Sequence, residues 1–172
     1  MHFINYHVTK IICDDFLLKY QTKNTKILPR LEKVILSAKL SVNYKTSISV
    51  LIGILTFLKP CLTYSRKNLL TINLRKGEPV GIKITLRQKQ MENFITLFLF
   101  EILPSLKKFK NLSFKNGSLQ WQIKDIFDYE DLLDIYIYIS EVPLLDITIS
   151  GKNLNHNFFI GWRVPINKIL DK

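Results

Sequence analysis

The sequence predicts an α+β fold, with an antiparallel sheet carrying helices on its aliphatic face and a basic surface on the other. Three observations support this. Short runs alternate apolar and polar residues with the period of two that a half-buried strand requires. Other runs space their apolar residues as the buried stripe of a helix does. The 172 residues suffice for one domain with a substantial core, and no repeat, linker or low-complexity tract divides them, so the chain is read as a single domain, 1–172.

In chain order, Ile4, Val8, Ile11, Ile12 and Phe16 recur at helical spacing and predict a helix over His2–Tyr20. Leu31–Leu40 alternates, with Val34, Leu36 and Ala38 on one face of a strand and Lys33, Ile35 and Ser37 on the other. Ser47–Phe57 reads as a buried helix that stops before Pro60. Leu70, Ile72 and Leu74 alternate with Thr71, Asn73 and Arg75; beyond the turn RKGEP, Val80, Ile82, Ile84 and Leu86 alternate with Gly81, Lys83, Thr85 and Arg87. Two such runs around a Gly and Pro turn predict a hairpin. Met91, Phe94, Ile95, Phe98, Leu99 and Ile102 then form the stripe of an amphipathic helix ending near Pro104, a core stripe and not a cofactor box. Further strands are expected at Leu119–Lys124, Ile135–Ser140 and Leu145–Ser150. On the second of these, Tyr136 and Tyr138 face away from the isoleucines, where they can stack on bases, although packing against a helix or a neighbouring protein is the better reading.

Bulk properties narrow the partner. Lys and Arg number 25 against 14 Asp and Glu, a net charge of +11, and the pI is near 9.7. Hydrophobic residues make up 47% and mean hydropathy is +0.10, which argues against disorder. A compact domain with this excess of positive charge calls for an anionic partner, nucleic acid or an anionic membrane surface. The apolar stretches Ile48–Leu58 and Ile95–Leu106 fall short of the ~20 residues that span a bilayer, so no membrane insertion is expected. The N-terminal MHFINYHVTKIICDDF is neither Arg-rich nor Ser-rich and holds Asp14 and Asp15, so no cleaved leader is expected. Ala38 is the only alanine, while Ile, Leu, Lys, Asn, Phe and Tyr abound. That bias fits an AT-rich organellar genome, and a basic protein made inside the organelle without an import signal is the simplest account, although an AT-rich bacterium or endosymbiont would show the same bias.

No chemistry of catalysis is written in the chain. Cys13 and Cys61 form no C-x-x-C pair, and His2, His7 and His156 show no ligand spacing, so no metal site or cofactor is expected and each thiol reads as buried or incidental. Gly77 and Gly81 serve a hairpin better than a phosphate cradle. The acidic run Asp125–Asp134 matches no calcium loop, since the glycine and the closing Glu are missing. It reads as a solvated or partner-facing segment. An enzyme is not expected. The polar face of the hairpin displays Thr71, Asn73, Arg75, Lys83, Thr85 and Arg87. Such cations and small hydrogen-bonding groups suit phosphates and sugar hydroxyls, and the pattern alone fits a solvated sheet surface equally well.

Several segments resemble a known family. LPRLEKVILS is similar to the first strand of the bacterial large-subunit ribosomal protein "five", which binds 5S rRNA in the central protuberance. KPCLTYSRKNLLTINLRKGEPVGIKITLRQKQM resembles that family's K-P-x-x-T-x-x-R-K-S run, R-x-G-x-P-I-G turn and K-V-T-L-R strand, without gaps. LPSLKKFKNLS, IFDYEDL and LDITISGK resemble its P-R-I-R-D-F-R-G-L-S, F-P-E-I-D-Y-D and L-D-I-T-I-T pieces, so the resemblance covers nearly the whole chain in order. It implies a sheet face that binds 5S rRNA, on which Lys33 and Thr85 keep the family residues. With the hairpin cations, the expected rRNA-binding set is Lys33, Arg75, Lys83, Thr85 and Arg87. It also implies a loop from Arg66 to about Asn73 that reaches the elbow of peptidyl-site tRNA. Arg66 and Lys67 match there, Asn68 replaces a serine, Leu70 and Thr71 replace small residues, and the expected contacts are Arg66, Lys67, Asn68, Thr71 and Asn73.

Departures fall on the 5S-facing positions. The family's N-x-G-x-G is replaced by Ser37, Ala38, Lys39 and Leu40; its glutamine before K-P is Leu58, and its hairpin aromatic is Ile72. The expected partners are therefore rRNA, 5S-type or other large-subunit rRNA, together with peptidyl-site tRNA and neighbouring ribosomal proteins in the mitochondrial matrix. Two other classes remain open. One is a free-standing organellar RNA-binding or processing accessory protein, the other a peripheral membrane protein. The latter needs a basic amphipathic helix, and Met91–Ile102 is poor in cations.

Overall fold

A computed structural model describes residues 7–20, 26, 28–39, 49, 52–53, 55–68, 74–105, 112–115, 117–123, 144–154 and 158–159. Its strands are β1 (Arg30–Lys39), β2 (Cys61–Tyr64), β3 (Pro79–Leu86), β4 (Leu112–Lys115), β5 (Ser118–Ile123) and β6 (Leu145–Lys152). They form one six-stranded antiparallel sheet in the order β2-β3-β1-β6-β5-β4. With helices α1 (Cys13–Tyr20) and α2 (Gln88–Leu97), the architecture is the α+β fold expected. The described residues divide into two compact units. One draws on Met1–Val34, Leu86–Trp121 and Thr148–Lys172, the other on Ile35–Thr85 and Gln122–Ile147.

Local pattern explains most of these elements. Along β1, Val34, Leu36 and Ala38 are buried while Lys33, Ile35 and Ser37 are only half-buried, as the alternation predicts. In β5, Leu119, Trp121 and Ile123 are buried between polar residues, and in β6 the buried set is Leu145, Ile147 and Ile149. Ser49, Ile52, Gly53, Leu55 and Thr56 are helical, as expected for that segment, with Ile52 and Leu55 in the core. The strand expected at Ile135–Ser140 and the acidic run Asp125–Asp134 lie outside the described residues.

Helix α2 starts after an extended Arg87 and buries Met91, Phe94 and Ile95. It continues as a π-helical stretch, Phe98–Ile102, where Leu103 N–H donates to the Phe98 carbonyl five residues back. Within the same unit the Phe98 ring meets Trp121 of β5 edge-on, with centroids 4.7 Å apart. Such a pair adds about 0.5–1.5 kcal/mol to the burial itself, and it seats the helix on the sheet.

Two expectations need correction. The first helix is π-helical over His7–Ile12 before it becomes α1. The wider π turn breaks the 3.6-residue period, so Ile12 and Cys13 are buried while Ile11 is exposed. Lys19 in the last turn of α1 complements the helix dipole. The second correction is larger. The strand hydrogen-bonded antiparallel to β3 beyond the turn is β2, with Cys61 opposite Lys83, Leu62 opposite Ile82 and Thr63 opposite Gly81. Of the expected partner run, Leu74 makes a single bridge, Arg75 sits in a turn, and residues 69–73 are outside the described set.

Candidate nucleic-acid interface

Strand β3 sets the first part of the surface. Ile82, Ile84 and Leu86 are buried, so the strand's period of two turns Lys83 and Thr85 outward, and both are exposed. Antiparallel pairing puts Cys61 beside Lys83 and Thr63 beside Gly81 on that same outer face. Gly81 lets the strands close up. A Cβ there would stand 3.0 Å from Thr63 Oγ1 and 3.1 Å from the Ala38 carbonyl oxygen, tighter than side chains normally pack. Lys33 on β1 is half-buried and Arg87, just past β3, is exposed; both belong to the other unit.

The second part is the loop between β2 and β3. At its base Ser65 N–H donates to the Glu78 carbonyl at 2.8 Å, and Gly77 N–H donates to the Ser65 carbonyl at 3.0 Å. Arg75–Glu78 is a β-turn in which Glu78 N–H donates to the Arg75 carbonyl at 3.2 Å. Gly77 takes φ +88 at its third position, the requirement of a type II turn. The Glu78 carboxylate accepts from Arg75 N–H at 3.0 Å, so it is engaged with backbone. Ser65 Oγ donates to the Lys67 carbonyl at 2.6 Å. Asn68 Oδ1 accepts from Lys76 N–H at 2.7 Å, joining positions eight residues apart. These bonds stitch two limbs together, one bearing Arg66 and Lys67 and the other Arg75 and Lys76.

All four of those cations are exposed, and among the described residues none of their side chains has an ion-pair partner. Backbone and short polar side chains thus fix the loop, while its charges stay free for a phosphate backbone. The same unit exposes Lys39 and Lys59 as well, and its described acids are Glu78 and Asp146.

Of the residues anticipated from sequence, Arg66, Lys67 and Asn68 come together in this loop, and Lys83 and Thr85 share the β3 face. Thr71 and Asn73 lie outside the described residues. Arg75 was expected on the sheet face, and its place is the first position of the Arg75–Glu78 turn, where its carbonyl accepts from Glu78 N–H. Lys76 was missed, although its place next to Arg75 and before the turn glycine marks it. Cys13 is buried and Cys61 exposed, and both are free thiols. Burial pushes the Cys13 thiol up, Asp14 adding to the effect and Arg30 opposing it.

No family model matches the chain. It is 31% identical over 149 residues to "Large ribosomal subunit protein uL5" of Malacoplasma penetrans, covering 81% of this chain and 79% of that protein. "Large ribosomal subunit protein uL5m" of Reclinomonas americana is 26% identical over 181 residues, 98% of this chain and all of its own length, 100%. "Large ribosomal subunit protein uL5c" of Cyanidioschyzon merolae is 31% identical over 151 residues, 84% of each chain.

Proposed function

This chain belongs to the uL5 family of large-ribosomal-subunit proteins, and from that premise we propose that it holds rRNA in a mitochondrial large subunit and touches peptidyl-site tRNA through its braced loop. As a family member it is a structural constituent of the large subunit. The rRNA, 5S-type where one is present, is met by Lys83 and Thr85 on the outer face of β3, and Lys33 and Arg87, each in the other unit, are the further rRNA contacts expected from the sequence. Lysine and arginine there neutralise phosphates, and the threonine hydroxyl meets sugar or phosphate oxygens. The loop contact uses Arg66 and Lys67, with Thr71 and Asn73 completing it as the resemblance implies. Arg75 moves from the sheet set to the loop set. The chain works as one domain, beside neighbouring ribosomal proteins.

The observation that carries this reading is the loop's hydrogen bonding. Asn68, Ser65 and Glu78 spend their polar atoms on backbone, leaving Arg66 and Lys67 exposed on a fixed support. Binding to phosphate is the chemistry that accepts every tRNA alike. The mitochondrial assignment draws on the AT-rich residue bias and on the match over the full length of a uL5m protein.

Fractionation tests it. The chain should sediment with mitochondrial large subunits through high-salt sucrose gradients, and recovery as free protein or in membrane fractions would sink the proposal. With purified chain and rRNA, Lys83→Ala should weaken binding almost uniformly across sequences and lower the salt slope by roughly one.

A further inference from the structure

We infer that Phe57 stacks on an unpaired RNA base while Lys59 takes a neighbouring phosphate. This rests on the rRNA-binding reading and adds a contact outside both the β3 face and the loop. Phe57 follows the helical residues ending at Thr56 and has φ +55. That is the left-handed position closing a helix, where glycine or asparagine normally stands because a Cβ there is strained. Its side chain is also 86% exposed, the highest value among the large apolar residues described. The strain costs stability and the exposure forgoes the gain of burial, and no ring contact among the described residues offsets this.

The backbone on either side is held in place. Thr56 Oγ1 donates to the Ile52 carbonyl at 2.7 Å, and the Leu58 carbonyl folds back to 3.6 Å from where a Cβ on Gly53 would stand. Pro60 restricts Lys59 in turn. The result is an aromatic ring on a fixed stalk, with only two side-chain torsions, and an exposed lysine two residues on. Proteins that bind single-stranded RNA combine these groups, a π-face for a base and a cation for its phosphate. The net charge of +11 and the cations of the same unit favour an anionic partner over an apolar protein surface.

The test titrates the full chain and its variants against a short mixed-sequence single-stranded RNA and an abasic strand of equal length. Phe57→Gly should melt about 2–4 °C higher, since glycine adopts this φ without strain. It should nonetheless bind the RNA about tenfold more weakly, while binding the abasic strand as the parent does. A purely structural residue would not separate stability from affinity in this way. Phe57→Trp should keep RNA affinity, and its added indole should be quenched by RNA and not by the abasic strand. Equal RNA affinity of Phe57→Gly and parent overturns the inference and leaves the rRNA reading standing. If Phe57→Gly keeps RNA affinity but no longer sediments with large subunits, the partner is a protein and stacking is overturned. A parent chain that binds neither strand overturns both proposals.

Discussion

Removing the amide of Asn68 tests whether the basic loop is built as a braced support. In Asn68→Ala the 2.7 Å bond from Lys76 N–H has no acceptor, and the limb bearing Arg66 and Lys67 loses its tie to the turn. A protein hydrogen bond is worth about 0.5–1.5 kcal/mol net. Asn68 is exposed, so water takes over part of the bond and the lower half of that range applies. The melting temperature should then fall by no more than ~4 °C. The local effect is more visible: about 1 kcal/mol shifts the braced-to-open ratio roughly fivefold. Hydrogen exchange at the Lys76 amide should speed up by up to that factor, with amides in the middle of β3 unchanged. Asn68→Asp retains an oxygen acceptor and should retain the protection. Affinity for tRNA, measured on reconstituted large subunits, should fall by at most that factor, because the competent loop is populated less. If Lys76 exchanges at the same rate in Asn68→Ala and the parent, the bond does not hold the loop and the reasoning fails.

Four further outcomes rest on the same structure. Replacing Arg66 and Lys67 together by alanine should leave large-subunit assembly near normal while lowering peptidyl-site tRNA occupancy; failure to assemble would make the pair an rRNA anchor. Gly81→Ala should destabilise the chain by about 1–3 kcal/mol in a denaturant titration. Adding Thr63→Ala should recover only part of the loss, because the Ala38 backbone carbonyl stays 3.1 Å from the new methyl. Full recovery would contradict that contact. In native protein a maleimide should label the exposed Cys61 and spare the buried Cys13 until unfolding. Because the Cys13 thiol is raised in the folded chain, it holds its proton longer there than when unfolded. Stability should therefore fall as pH rises past the ordinary value of 9.0, and Cys13→Ser should flatten that fall.

How far the site could be read in advance differs residue by residue. Lys83 and Thr85 were legible because their neighbours Ile82, Ile84 and Leu86 enforce the alternation. Arg66 and Lys67 were legible only through the family resemblance, since two adjacent cations carry no period. Asn68 was anticipated as a tRNA contact, and the structure commits its amide oxygen to Lys76. Phe57 gave no signal, because its left-handed backbone belongs to a turn whose residue type predicts the opposite.

Sequence by itself determined which segments are half-buried. The alternation in β1, β3, β5 and β6 and the stripe of α2 are local records of burial, written every second or every third to fourth residue. It also determined the charge, and through spaced motifs the family. Only the tertiary structure decided that β2 pairs with β3. All four residues of β2 are exposed, so this edge strand has no buried face to impose a pattern on Cys61–Tyr64. The strand order β2-β3-β1-β6-β5-β4 and the bond across eight residues that braces the loop are of the same kind. Each joins groups distant in the chain through hydrogen bonds donated by a backbone N–H, which every residue but proline carries, so no local pattern records the choice of partner.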